Sequence, residues 1–74
     1  MIPFTVNVAG QGRLEEMQAE EGTTAQDVLN QLGLPDYELS PAVGLPPFGK
    51  DELIYDRLKP NGKIIAAPPA DAGN

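Results

Sequence analysis

Apolar and polar positions alternate at the start of the chain, over residues 2–8. The even positions are apolar and the odd positions are polar or proline, which is the period of a strand with one buried face. Two glycines within residues 9–12 permit the positive φ angles of a hairpin connection. A second strand is therefore predicted over residues 13–19, in which Leu14 and Met17 point to opposite faces unless a bulge intervenes.

The clearest helical pattern in the chain is predicted over residues 24–32. Thr23 is the expected N-cap, and Gln26, three residues later, completes a capping box. Gly33 is expected to end the helix in the left-handed conformation, with Leu34 folding back onto the helix. Four apolar residues recur at helical spacing and need a sheet to cover them: Ala25, Val28, Leu29 and Leu32.

The middle of the chain, residues 35–58, has a weaker pattern. Its prolines and glycines exclude a long central strand, so a short edge strand is predicted over residues 39–45. Residues 51–58 are expected to hold a helical turn. The apolar contacts of that turn are predicted to come from Leu53, Ile54 and Leu58.

Phe48 follows two prolines, and this aromatic residue has two interpretations. The first is a contact with a partner protein, and the second is a cover over one end of the hydrophobic core. The covering role is favoured, because so small a domain has few large residues to spare.

The last predicted elements are a turn over residues 59–63 and a strand over residues 64–67. Proline and the Asn61-Gly62 pair suit the turn. The strand lacks alternation, which is typical of a central strand covered on parts of both faces. We expect it to lie parallel to the first strand, since the helix makes the crossover right-handed. The predicted fold is therefore α+β and of the β-grasp type, a mixed sheet of four to five strands with one main helix packed across it.

Composition excludes most catalytic chemistry. The chain has 74 residues, no cysteine and no histidine, so it lacks the thiolate and imidazole groups that serve metal binding and acid–base catalysis. Its single serine, Ser40, has no histidine to activate it. The prediction is a protein that is not an enzyme and that holds neither a metal nor a cofactor. The glutamates near residues 15–21 are expected to form a solvated surface rather than a cation site.

Eleven acidic residues against five basic ones give a net charge of −6. Nucleic acids and anionic membranes are bound by clustered Lys and Arg, so neither is an expected partner. The acidity suits docking on a basic partner surface, or it serves solubility alone. No stretch has transmembrane length and no signal peptide is evident, so the expected location is cytoplasmic.

Residues 68–74 form a proline-stiffened run of small residues. Such a run cannot be buried in a core, so we expect a single domain over residues 1–67 and a flexible C-terminal tail over residues 68–74. When extended at ~3.3 Å per residue, this tail reaches about 23 Å, enough to enter an enzyme cleft. The alternative interpretation is an inert, disordered terminus.

Three segments together carry a likeness to a known family. Residues 21–34 pass through a glycine and two threonines into a helix that ends in Leu-Gly-Leu. Residues 58–65 hold a leucine, a glycine-containing turn and the last strand, and residues 67–73 place two prolines before a glycine. In this order and spacing they resemble the β-grasp sulfur carriers, ubiquitin-like proteins such as the small subunit of molybdopterin synthase and the thiamine sulfur carrier.

The resemblance implies that the chain is a substrate of other enzymes. In that family an adenylating, E1-like enzyme activates the terminal carboxylate, and sulfide then displaces AMP to leave a thiocarboxylate for an acceptor enzyme subunit. The matching reactive tail is Ala72, Gly73 and Asn74, whereas the family ends in two glycines, which lack Cβ atoms and can thread a narrow channel. Three interpretations follow: a tail-processing protease removes Asn74, Asn74 is deamidated and activated through its side chain, or the tail is inert.

Two functional hypotheses result. The leading one is a sulfur-carrier-type protein activated at its tail, and the alternative is a β-grasp interaction module or accessory subunit whose tail is inert. While the tail enters the cleft of a partner enzyme, the body of the protein is expected to dock through its exposed sheet face. The candidate docking residues are Thr5, Asn7, Glu15, Glu16, any apolar residue that the helix leaves uncovered and, under its partner-contact interpretation, Phe48.

Overall fold

The computed structural model describes residues 1–42 and 44–69. Within these residues the chain forms four strands, one α-helix and one 3₁₀ turn. In chain order the elements are β1 (Ile2–Val8), β2 (Arg13–Ala19), α1 (Ala25–Leu32), β3 (Glu38–Ser40), the 3₁₀ turn (Tyr55–Arg57) and β4 (Gly62–Ala67). The result is a small α+β fold, as the sequence predicts.

The four strands form one mixed sheet in the order β2-β1-β4-β3. β1 pairs antiparallel with β2 and parallel with β4, while β3 pairs antiparallel with β4. The prediction that the last strand lies beside the first, in parallel, is confirmed. β4 also begins two positions earlier than expected, at Gly62, because the tight turn before it ends with a backbone hydrogen bond from Gly62 N to Lys59 O of 2.9 Å.

The β1–β2 hairpin has the bounds predicted from the alternation. Its register is one-to-one from Ile2 opposite Ala19 to Val8 opposite Arg13, so no bulge interrupts it. Leu14 and Met17 consequently point to opposite faces of the sheet. Leu14 is exposed, and Met17 is half-buried against the core.

The helix begins one residue later than the predicted capping box implies. Thr24, not Thr23, is the N-cap: its Oγ1 accepts a hydrogen bond from Asp27 N, and Asp27 Oδ2 accepts one from Thr24 N. Gln26 therefore has no part in the box. Thr23 is held outside the helix, because its carbonyl accepts a backbone hydrogen bond from Ile54 N at 3.0 Å.

The end of the helix is confirmed as predicted. Gly33 has a φ of 76°, in the left-handed region, and its N–H donates to Asn30 O. Leu34 N donates to Leu29 O at 2.9 Å, which completes the two bonds of a Schellman motif. The Leu34 side chain packs against the core, so the chain reverses direction directly after α1.

The middle of the chain departs most from expectation. β3 covers Glu38–Ser40 instead of the predicted 39–45, because Pro41 has no N–H with which to continue the ladder. The chain then returns along residues 46–54, here called the return segment. Phe48 N donates to Leu39 O at 2.7 Å and so attaches this segment to β3.

Two neighbouring apolar residues of the return segment have opposite environments. Ile54 is fully buried, as predicted, whereas Leu53 is 58% exposed. The expectation that Leu53 contributes an apolar contact is therefore wrong. Leu53 forms an isolated β-bridge with Thr24, and in such extended backbone consecutive side chains point in opposite directions.

The hydrophobic core lies between α1 and one face of the sheet. Its buried members come from every strand, from the helix and from the return segment, and no polar or charged residue is buried among the described residues. The largest fully buried side chains are Val6, Val8, Val28, Leu29, Leu39 and Ile54. The opposite face of the sheet has no helix of the described chain over it.

Candidate functional site

The surface available for docking is the sheet face opposite α1, here called the open face. The strand register places its residues in cross-strand rows. One row runs Leu14–Asn7–Ile65–Ser40 and the next runs Glu16–Thr5–Lys63. In the antiparallel pairs of these rows, directly opposed side chains have Cβ atoms about 4.5–5.5 Å apart. The open face therefore combines an apolar pair flanking Asn7 with a neighbouring row that carries one charge of each sign.

The two glutamates predicted to dock together lie on different faces. Glu16 stands on the open face beside Thr5, whereas Glu15 stands on the helix side and is half-buried. Glu15 Oε2 accepts a hydrogen bond from Arg13 Nε at 2.7 Å. Consecutive residues of a strand always face opposite sides, so only Glu16 can join Thr5 and Asn7 in one docking surface.

Phe48 is buried and belongs to the core cluster. This position fits the interpretation that its ring covers one end of the core. The guanidinium carbon of Arg57 lies 5.4 Å from the centre of the ring, within the range of a cation–π contact. The Phe48 ring is thus occupied by contacts within the protein and offers little surface to a partner.

The predicted reactive residues Ala72, Gly73 and Asn74 lie outside the described residues. The two residues that lead toward them, Pro68 and Pro69, are described and exposed. They follow Ala67, the last residue of β4, which pairs with Glu38 of β3. The chain therefore leaves the sheet from the end of a central strand.

Two open-face residues, Leu14 and Ile65, are the uncovered apolar residues that the sequence predicted for the docking face without naming them. Leu14 is 60% exposed, one of the large apolar side chains left in contact with solvent, and Ile65 is half-buried. The sequence could have identified Leu14, because it is the apolar residue among outward-facing positions of β2 that are otherwise polar. The sequence could not identify Ile65, because residues 64–67 are all apolar and their pattern does not show which side chains face outward.

A shallow groove of about 320 Å³ also opens on this side of the hairpin. Residues of both hairpin strands line it, joined by Asn61, whose N–H donates to Pro3 O at 2.8 Å. Asn61 has a φ of 61°, a left-handed conformation that asparagine tolerates better than most residues. The groove lies at the start of β1 and β4, so it is at the opposite end of the sheet from the exit of the chain at Ala67.

Residues 1–42 and 44–69 bring no three metal-ligating side chains together, and no side-chain polar atom in them is buried without a hydrogen-bond partner. In the same ranges, no helix has both the length and the apolar composition needed to cross a membrane. On the open face, the exposed Leu14 and the half-buried Ile65 lie in one row.

Comparison with known proteins adds no relative: no protein-family model matches the chain, and no curated protein matches it.

Proposed function

We propose that this chain is a ubiquitin-like, β-grasp carrier of the sulfur-carrier type. It has no catalytic activity of its own, and a partner adenylating enzyme activates its C-terminal tail after Asn74 has been removed. The support begins with the fold class, because a four-stranded mixed sheet with a parallel central pair and one covering helix is compatible with a β-grasp. The sequence resemblance in the helix, turn and tail supplies the rest.

One observation carries the proposal furthest: the exit of the chain lies beside the apolar row of the open face. Ile65 belongs to that row, and Ala67 ends β4 only two residues later. At about 3.3 Å per residue, the exit is within about 7 Å of the row along the strand. A partner that docks on Leu14 and Ile65 would therefore receive the exposed Pro68-Pro69 pair at the edge of the interface.

The chemistry of activation has two steps. The terminal carboxylate attacks the α-phosphorus of ATP, which forms an acyl-adenylate and releases pyrophosphate. Hydrosulfide then attacks the carbonyl carbon, and AMP leaves, so that the product is a thiocarboxylate. The chain supplies only the acyl group and the docking surface, which is consistent with the lack of cysteine and histidine.

Intact mass spectrometry of the protein from its native host tests the tail. The expected species lacks Asn74 and carries sulfur in place of one oxygen at its new terminus. A parallel trap uses host extract, ATP and hydroxylamine, because hydroxylamine converts an acyl-adenylate into a hydroxamate at the carrier terminus. A chain that keeps Asn74 and forms no hydroxamate would overturn the proposal.

The role of the open face in docking is tested with two matched leucine-to-alanine variants. Leu14→Ala should reduce hydroxamate formation, whereas Leu53→Ala should leave it unchanged, since both side chains are similarly exposed but only Leu14 lies on the open face. Equal yields from the two variants would show that the open face does not contact the activating enzyme.

The alternative function is a non-catalytic interaction module or accessory subunit with an inert tail. The exposed Leu14 and the half-buried Ile65 favour it as well, because an apolar row needs only a partner and no tail chemistry. Removal of residues 70–74 separates the two functions. Under the carrier proposal the truncated chain keeps its fold and loses all activity, whereas the interaction module keeps both.

A further inference from the structure

A second surface groove, of about 330 Å³, lies beside the first half of β4 and on the side away from β1. β3 pairs only with Ile65–Ala67, whereas β1 pairs along the strand from Gly62 to Ala66. Among the described residues, β4 therefore has a strand neighbour on one side only over residues 62–64. Pro41, which ends β3, forms part of the groove wall. The sheet thus has a notch about three residues long in its ladder.

The walls of this notch are basic, although the protein is strongly acidic. Arg57, Lys59 and Lys63 line the groove, three of the five basic residues in the chain, and none of its described lining residues is acidic. Arg57 is engaged by Glu52 and by the Phe48 ring. Lys59 and Lys63 are exposed and form no ion pair with another described residue. The floor of the groove includes the buried residues Leu58 and Ile64.

The geometry points to docking of an extended, acidic peptide segment of a partner protein, which adds to β4 at residues 62–64 as a short strand. Three residues of extended peptide span about 10 Å, so the notch takes a three- to four-residue core. Strand addition satisfies backbone groups and fixes the register of the peptide. Alternate side chains of the peptide then point to the apolar floor and toward Lys59 and Lys63, where carboxylates complement the charge.

Charge complementarity selects this occupant over a second copy of the chain. The other copy would bring a net charge of −6 as well, but its notch would bring lysines against lysines, and like charges directly opposed are destabilising. Edge lysines also prevent pairing between identical sheets. A peptide with acidic side chains reverses that repulsion, so the same lysines both exclude self-association and admit an acidic strand. This proposal does not depend on the tail or on its activation.

The test is a titration of the ¹⁵N-labelled full chain with the capped peptide acetyl-Glu-Val-Glu-Val-Glu-Val-amide. The amide signals of Gly62, Lys63 and Ile64 should shift, and those of the β2 residues should not. The Lys-Val counterpart should not bind. A peptide with N-methyl groups on all of its residues should also fail, because it keeps the charge but cannot form the backbone ladder in either strand direction.

Matched variants locate the charge. Lys63→Glu should raise the dissociation constant of the acidic peptide about tenfold. Lys50→Glu makes the same change in net charge outside the groove and should raise it less than about threefold. Thermal unfolding of each variant confirms that it is folded.

Four outcomes would overturn the proposal: no shift at millimolar peptide, shifts confined to other residues, undiminished binding of the N-methylated peptide, or equal weakening by Lys50→Glu and Lys63→Glu. The first outcome would leave the lysines as guards against pairing alone. Inorganic tripolyphosphate serves as the competing probe. Shifts of residues 62–64 with tripolyphosphate, but none with the peptide, would identify a site for phosphate groups instead.

Discussion

The two edges of the sheet are protected in different ways. β2, at one edge, pairs along all seven of its residues with β1 and carries the Arg13–Glu15 ion pair on its helix-side face. We call it the charged edge. β3, at the other edge, has only three residues, and the return segment binds to its outer side through Phe48 and Leu39. We call it the covered edge.

The comparison shows that an edge strand can be protected by charge or by burial, and that the two differ in the conformational entropy they cost. Inward-pointing charges stop another strand from pairing with β2 while the edge stays accessible. Covering β3 requires a long segment to be ordered, and its stability must come from buried side chains such as Phe48 and Ile54. The covered edge is therefore expected to respond strongly to core mutations, and the charged edge weakly.

The largest effect is expected at Ile54, which secures the covered edge. Ile54→Ala should lower the free energy of unfolding by about 2–5 kcal/mol, because it removes a fully buried side chain. Leu53→Ala, its exposed neighbour, should change it by less than about 0.5 kcal/mol. Urea denaturation measures both. Similar losses in the two variants would show that the return segment is not held by burial of Ile54.

The next effect is expected at Gly62, which begins β4 beside the notch. A Cβ on Gly62 would lie 3.0 Å from Lys59 O, an atom already bound by Gly62 N in the turn. Gly62→Ala should therefore cost about 1–2 kcal/mol. Gly49→Ala, in the return segment, meets only ordinary contacts at 3.9 Å and should be neutral or slightly stabilising. Thermal unfolding should show a lower midpoint for Gly62→Ala and an unchanged or slightly higher midpoint for Gly49→Ala. A matching loss at Gly49 would contradict the explanation.

A smaller effect is expected where the covered edge meets the start of α1. The N–H groups of Ala25 and Gln26 lie in the first turn of the helix, where they have no partner within the helix. They donate instead to the carbonyls of Glu52 and Lys50 in the return segment. Asp27→Ala breaks the capping box that holds this helix end and should cost about 1 kcal/mol. Gln26→Ala should cost less, about 0.5 kcal/mol or below, because its side chain takes no part in the box and loses only solvent-exposed hydrogen bonds to Asn30 and Pro35. A larger loss of stability in Gln26→Ala than in Asp27→Ala would instead support the capping box of Thr23 and Gln26 that the sequence predicted.

The smallest effect is expected at the charged edge. Glu15→Gln should cost less than about 1 kcal/mol at low salt, because the ion pair with Arg13 is partly exposed to solvent, which weakens the attraction. That loss should disappear at high salt as the charges are screened. Glu16→Gln, on the open face, serves as the control and should show no such salt dependence. A salt-independent loss at Glu15 would mean that packing, and not charge, stabilises this edge.

Much of the candidate docking surface was within reach of sequence reasoning. The alternation of β1 assigns Thr5 and Asn7 to the face opposite Phe4 and Val6, and the structure places them there. The same period of two separates Glu15 from Glu16, so their joint assignment contradicted the strand in which they were placed. The row that joins Leu14 to Ile65 was beyond reach, because it depends on two strand pairings that link residues distant in sequence.

The sequence by itself determined the hairpin, the helix and its left-handed end. These elements arise from local causes: a period of two, a helical stripe, and a glycine that accepts a positive φ at position 33. Only the tertiary structure decided which of two adjacent threonines caps the helix, where the return segment attaches to β3, and which of Leu53 and Ile54 is buried. Adjacent threonines can each cap a helix and adjacent apolar residues can each be buried, so the local sequence does not choose between them. The backbone hydrogen bonds and the β-bridge that join residues 23–26 to the return segment make both choices.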